Sequence, residues 1–431
     1  MTNTKWLRSV LLGGVAVSVM ATGAQASELS DLKAQLEALQ SRVNTIETAP
    51  AANLPAGAML MTMSKGRGSN NWADVSARDA ANVASDRGFT IAINPTADLP
   101  APVTEITIFG YAKLDASWNS KSGGGQTFFM PGLFAGAPKA SSWNLHARQS
   151  RFGIDAKTDT AIGQVRSRIS GDFYGSAPAD FRMRHAYGEW DMTDTWTLVA
   201  GQTWHTASLL PLGVSTIDFS GTAGPSYSRS AQLSLKYGSG PIKALIGISH
   251  PIAGTAADYP DLGGYMTYTA GGGHQIFASA SIGDDDSGVT NSTSWQVGGG
   301  ANIRLGDLAS ITAGALYGKG GQARRYLNQE AFGAKNAVGN PTKMWGALVG
   351  VSMNVSEATT VNAQFGYSDN LESAATTVTN VDDTMTIYAN ILWRPVKQMR
   401  LGWEVEWGRN DYFVGASNSM ISGRFGAWFF F

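Results

Sequence analysis

The 431-residue chain carries 32 Lys and Arg against 33 Asp and Glu, with no cysteine. That balance gives no sign of a nucleic-acid partner, and the lack of thiols excludes a disulfide scaffold, thiolate metal sites and a lipid anchor on an N-terminal cysteine. The 51 glycines, 10% aromatic and only 15% charged residues point to an all-β protein of a length natural for one large barrel.

Residues 1–26 read as a secretory signal: Lys5 and Arg8 precede an apolar core at 10–20, and "AQA" at 24–26 offers a small-x-small cleavage site. Removing that segment leaves 30 basic against 33 acidic residues. Neither its core nor any later run approaches the roughly 20 apolar residues of a spanning helix, so any passage through a membrane is not helical. Residues 27–48 follow with Leu29, Leu32, Leu36, Leu39, Val43 and Ile46 at alternating spacings of 3 and 4. Apolar residues on a and d alone predict a short parallel coiled coil and hence an oligomer; a single amphipathic helix packed on the rest of the chain is the other reading. The a and d residues favour no one strand number. Residues 49–103 are rich in Ala, Pro, Gly, Ser and Asn without a sustained period, and read as a linker with one short helix at 72–84.

From Thr104 to Phe431 the period becomes two. In "TEITIFGYAKLDASW", Ile106, Ile108, Gly110, Ala112, Leu114, Ala116 and Trp118 share one face, while Thr107, Phe109, Tyr111, Lys113, Asp115 and Ser117 share the other. The alternation recurs at 230–238, 242–249, 274–283, 343–355, 384–393 and 419–431. Short connections such as "TDTAIG", "YGSGP" and "RPVKQ" alternate with long ones at 119–144, 206–228, 283–293, 319–342 and 369–383. Tight turns on one side and extended loops on the other predict a 16-stranded antiparallel transmembrane β-barrel over 104–431, in an outer membrane, with both ends of the barrel and the coiled coil on the periplasmic side. A soluble secreted sandwich or propeller is the competing architecture. It is disfavoured by strands near ten residues, by Trp and Tyr near run ends, and by an apolar face ending in Phe429 and Phe431 that would aggregate in water.

Several stretches together resemble the DcaP-like family of outer-membrane porins: "EITIFGYAKLDASW", "ARQSRFGIDAKTDTAIGQVRSRISGDFYG" (147–175), "FRMRHAYGEW" (181–190), "LVAGQTWH" (198–205) and "IDFSG" (217–221). The likeness is most specific over 105–221. It implies a homotrimeric 16-stranded diffusion channel with a periplasmic N-terminal coiled coil, favouring small anions such as dicarboxylates; neither a cofactor nor catalysis is expected.

The wall chemistry follows from alternation. With Val165 and Ile169 toward lipid, Arg166, Arg168 and Asp172 face the lumen, because an arginine facing lipid near the bilayer centre costs roughly 2–4 kcal/mol. The preceding strand adds Arg151, Asp155 and Lys157, and the following one adds Arg182 and Arg184. Strands about 4.8 Å apart bring these into one basic patch. Guanidinium groups stay charged and can hold a carboxylate through two parallel hydrogen bonds, as in anion-selective pores. The bland alternative is that Asp155, Asp172 and Glu189 neutralise them and the cluster only stiffens the wall. Lys113 and Arg229 join the channel-lining set. Loop 206–228, between the fifth and sixth strands, folds inward in general porins, and would then place Asp218 and Arg229 opposite the basic wall; a plain surface loop is the other reading. His146, His185, His205, His250 and His274 show no metal-ligand spacing, and no Gly-x-Ser-x-Gly elbow accompanies them. A weakly selective general porin, an envelope tether and a barrel hydrolase stand as alternatives to an anion channel.

Overall fold

A computed structural model describes residues 60–65, 89–94, 104–121, 140–175, 180–209, 211–252, 257–285, 292–327, 340–372, 381–414 and 417–431. The expected signal segment, the 72–84 helix and the coiled-coil residues Leu29, Leu32, Leu36, Leu39, Val43 and Ile46 lie outside the described residues. The strands are β1 (Leu60–Lys65), β2 (Phe89–Asn94), β3 (Thr104–Asn119), β4 (Ser142–His146), β5 (Arg151–Thr160), β6 (Gly163–Asp172), β7 (Arg182–Asp191), β8 (Trp196–Trp204), β9 (Arg229–Ser239) and β10 (Ile242–Ser249). They continue as β11 (Asp261–Thr269), β12 (Gln275–Asp284), β13 (Thr293–Leu305), β14 (Ala309–Lys319), β15 (Lys343–Ser356), β16 (Thr359–Asn370), β17 (Val381–Val396), β18 (Met399–Tyr412) and β19 (Asn418–Phe430), with an α-helix among the described residues, α1 (Gly320–Tyr326), after β14.

Every strand from β5 to β19 pairs antiparallel with the next, and β19 closes on β3 through Ser422–Phe430 against Tyr111–Asn119. The barrel has 16 staves because β4 and β5 form one of them. β4 pairs with Asp115–Asn119 of β3 and β5 with Thr104–Tyr111, and the break at 147–150 is tied back by the Lys113 N–H on Ser150 Oγ at 2.9 Å. Closure leaves no long free edge in the wall, as a membrane barrel requires. The even-numbered connections, such as 161–162, 240–241, 357–358 and 397–398, are tight, and the long ones gather at the opposite end.

Segment 49–103 was expected to be a linker, yet it supplies β1 and β2. β2 pairs with Thr104–Ile108, the part of β3 that lies below the last residues of β19, and β1 pairs with β2. An exposed strand edge is a pairing template, and six alternating residues in "FTIAIN" suffice to cover it. Such short runs, separated by residues 66–88, carry too little periodicity to stand out in sequence.

The two faces separate as alternation predicts. On β6, Ile169 is 61% exposed and Val165 40%, while Arg168 is 1% exposed and Arg166 3%. Outward aromatics pair across strands near both rims, Trp295 with Tyr317 and Trp345 with Tyr367 toward the long loops, and Trp196 with Tyr237 toward the tight turns. These are the girdles of a transmembrane barrel. Ile169→Arg is therefore expected to lower the unfolding free energy by about 2–4 kcal/mol if it sits near the bilayer midplane, measured by urea titration in lipid vesicles. A neutral effect would place this face away from lipid.

Candidate functional site: the charged inner wall and the loop across the lumen

Register brings opposite charges face to face inside β5, β6 and β7. Arg168 stands opposite Asp155, and Arg166 opposite Glu189. The Arg168 Nε and Nη2 donate to the two Asp155 oxygens at 2.5 and 2.6 Å. Arg166 Nη2 reaches Glu189 Oε2 and Asp191 Oδ1, both at 2.7 Å, and Lys236 Nζ adds a contact to Glu189 at 3.1 Å. At the long-loop end Arg182 grips Asp172 through Nε at 2.9 Å and Nη2 at 2.7 Å, and Arg184 shares the same carboxylate at 2.9 Å. Arg151 Nη2 lies 3.4 Å from Ser170 Oγ.

The structure thus collects Arg151, Arg166, Arg168, Arg182, Arg184 and Asp172 on one wall. It also contains the neutralising pairs that the alternative reading named. Arg166, Arg168 and Arg184 are buried in those pairs, whereas the Arg182 side chain is 32% exposed. Seven cations (Arg151, Lys157, Arg166, Arg168, Arg182, Arg184 and Lys236) face five carboxylates (Glu105, Asp155, Asp172, Glu189 and Asp191), so a positive excess survives pairing. A bulge on β7 makes this possible. Ser170 pairs with His185 but Gly171 with Met183, so Arg184 is the extra residue and the inward parity shifts from Tyr187 and Glu189 to Arg184 and Arg182. Phe181 and Met183 stay outside.

Loop 205–228, between β8 and β9, folds into the lumen. Its apolar residues sit in holes left by inward-facing glycines of the far wall. A Cβ on Gly314 would lie 2.8 Å from Leu212, one on Gly350 2.8 Å from Val214, and one on Gly402 2.7 Å from Ile217. Ile217 joins Tyr111, Leu392, Trp428 and Phe430 in a buried cluster. Gly224, at φ +89, lets the returning arm pass where a Cβ would meet the Ala347 carbonyl at 2.5 Å.

Three expectations at the loop change in detail. Asp218 was expected to oppose the basic wall; it faces Arg424 of β19 at 3.4 Å instead. Arg229 lies 4.9 Å over the Trp204 ring rather than opposing β5–β7. Lys113, expected to line the channel, is enclosed: Nζ meets Asp115 at 2.5 Å, Gln149, and the Ile217 carbonyl at 3.0 Å, so it holds the loop. What reaches the arginines is Phe219, whose ring lies 4.8 Å from the Arg184 and 5.5 Å from the Arg182 guanidinium, with Tyr174 beside it at 5.5 Å. Alternation does not flag Phe219, because it lies outside any strand.

A second connection also turns inward. α1 packs through Ala323, Tyr326 and the following Leu327 on Ala207, Leu316, Met344 and Val381. Arg325 pairs with Asp261 at 3.0 Å, and Tyr326 O accepts from the Ser226 N–H at 2.6 Å. The Tyr326 hydroxyl contacts His205 Nδ1. His205 Nε2 faces both Ser249 Oγ, at 2.7 Å, and Asp261, at 3.8 Å. A hydrolytic relay needs serine and carboxylate on opposite ring nitrogens; here they share one, in a fully buried clamp.

Below the loop, toward the tight turns, lies a cavity of ≈ 960 Å³ lined by Gln164, Asp191, Thr197, Lys236 and Tyr265, with Pro211 of the loop at its edge.

No protein-family model and no curated protein matches the sequence. Among solved structures, the outer membrane channel DcaP of Acinetobacter baumannii superposes with a TM-score of 0.66 at 21% identity, covering 76% of this chain and 97% of that one. The chain has the DcaP-like porin fold. The anion-selective porin from Comamonas acidovorans follows with a TM-score of 0.56 at 16% identity, covering 76% of this chain and 100% of that one. OmpT of Vibrio cholerae gives 0.53 at 13% identity, covering 76% and 98%.

Proposed function

We propose that the protein is a homotrimeric outer-membrane channel for passive diffusion of small anionic solutes, carboxylates and dicarboxylates in particular. The observation that carries this is the inner wall of β5–β9, where cations exceed carboxylates beside a loop that narrows the lumen. A confined positive field raises the local concentration of anions and lowers their barrier to passage. In this reading Arg182 and Arg229 meet the solute, because they keep accessible surface. Arg151, Arg166, Arg168 and Arg184 supply field from within their pairs, and Asp172 orients two of them. Lys113 fixes the loop. The anion-selective porin of Comamonas favours anions in general, and the sequence resemblance over 105–221 favours small dicarboxylates. The trimer rests on that resemblance; the a/d leucines point to an oligomer without setting its number.

A weakly selective channel is the second reading, favoured by the carboxylates that quench most of the wall. Swelling of protein-loaded liposomes separates the two. The anion channel admits a dicarboxylate faster than a neutral sugar of similar size, and Arg182→Gln with Arg229→Gln narrows that difference. Equal rates for both solutes in the unaltered protein would favour the weakly selective channel.

A further inference from the structure

A loop that enters a barrel leaves its backbone N–H groups without a ladder, so the wall must supply acceptors. It does so in order along both arms. Thr312 Oγ1 accepts from Gly213 at 3.3 Å, Gln364 Oε1 from Val214 at 2.8 Å, Thr386 Oγ1 from Ala223 at 2.8 Å, and Ser368 Oγ from Gly224 at 2.8 Å. The tip differs. The Glu404 carboxylate accepts from two consecutive groups, Ile217 N–H at 3.0 Å and Asp218 N–H at 2.7 Å, and Asn390 Nδ2 steadies it at 2.8 Å.

Glu404 stands in register with Arg424 of the next strand, yet Arg424 Nε is directed to Glu406 at 2.9 Å. The carboxylate is therefore directed to the loop. Two consecutive N–H groups converge on this one side chain, whereas each of the neutral acceptors along the arms takes a single loop N–H. One wall side chain thus grips the tip where it crosses the lumen.

We propose that Glu404 is a positioning residue that holds the tip of loop 205–228 and so sets the width of the passage. The neutral acceptors guide the arms, while Glu404 fixes how far the tip stands from Arg182 and Arg184. The functional consequence rests on the channel reading, but the positioning itself does not.

Two readings test it. A spin label on Ser220→Cys is unique, because the chain has no cysteine. Its spectrum should sharpen toward higher mobility in Glu404→Ala, with Glu404→Gln between that variant and the parent. In planar bilayers, Glu404→Ala should conduct more and admit larger polyethylene glycols, while its heat-modifiable gel mobility stays that of a folded barrel. An unchanged label spectrum in a folded variant overturns the proposal, as does an unchanged or smaller polymer cut-off. If the alanine variant does not fold, the same two readings on Glu404→Gln decide. A parent protein that never conducts would defeat the channel reading alone, and the label would still test the latch.

Discussion

Arg168→Met is expected to lower the unfolding free energy of the barrel by about 3–5 kcal/mol, the range seen when one partner of a buried ion pair is removed. The side chains of Arg168 and Asp155 are 1% and 6% exposed, and two parallel hydrogen bonds join them. Without Arg168, the Asp155 charge remains on a wall where the Phe109 ring lies 5.3 Å from the former guanidinium. Adding Asp155→Leu should recover much of the loss, since a well-packed apolar pair often replaces a buried ion pair without penalty. Arg182→Gln should cost about 1 kcal/mol or less, because its pair is partly solvated. Urea titrations in vesicles measure all three. Equal losses at Arg168 and Arg182 would contradict the division between pairs that build the wall and a cation that meets the solute.

Replacing residues 208–226 by a short Gly-Ser bridge is expected to give the largest functional change, a higher conductance with weaker ion preference. The barrel should persist, because β8 and β9 pair from Trp204 and Arg229 downward without help from the loop. The solute would then pass farther from Arg182 and Arg184, and field falls quickly in a water-filled lumen. Single-channel recording tests this. A conductance equal to that of the parent would mean that the loop does not bound the passage.

Much of the wall was legible in sequence because each strand repeats one decision, lipid or lumen, at every residue. "IKALIGIS" at 242–249 marks β10 to the residue, and "VRSRI" sorts Val165 and Ile169 from Arg166 and Arg168 as the structure does. What alternation misses is partnership. Asp155 neutralises Arg168 through the register of two strands, and the extra residue at Arg184 that re-aims β7 leaves no local mark. The loop's inward course was expected by analogy, but its seat was hidden. Gly314, Gly350 and Gly402 look like ordinary small residues until Leu212, Val214 and Ile217, some 100 to 185 positions away, fill the space above them. α1 and the β1–β2 hairpin escaped for a related reason: each is a short element held by the barrel rather than by its own periodicity.

The zero-current potential of the unaltered protein in a planar bilayer under a potassium chloride gradient tests the central claim most directly. A passage bordered by the β5–β9 wall, where cations exceed carboxylates, should give the sign set by chloride crossing faster than potassium, and the potential should shrink in Arg182→Gln with Arg229→Gln. A potential of the opposite sign, with potassium crossing faster, would contradict an anion-preferring channel.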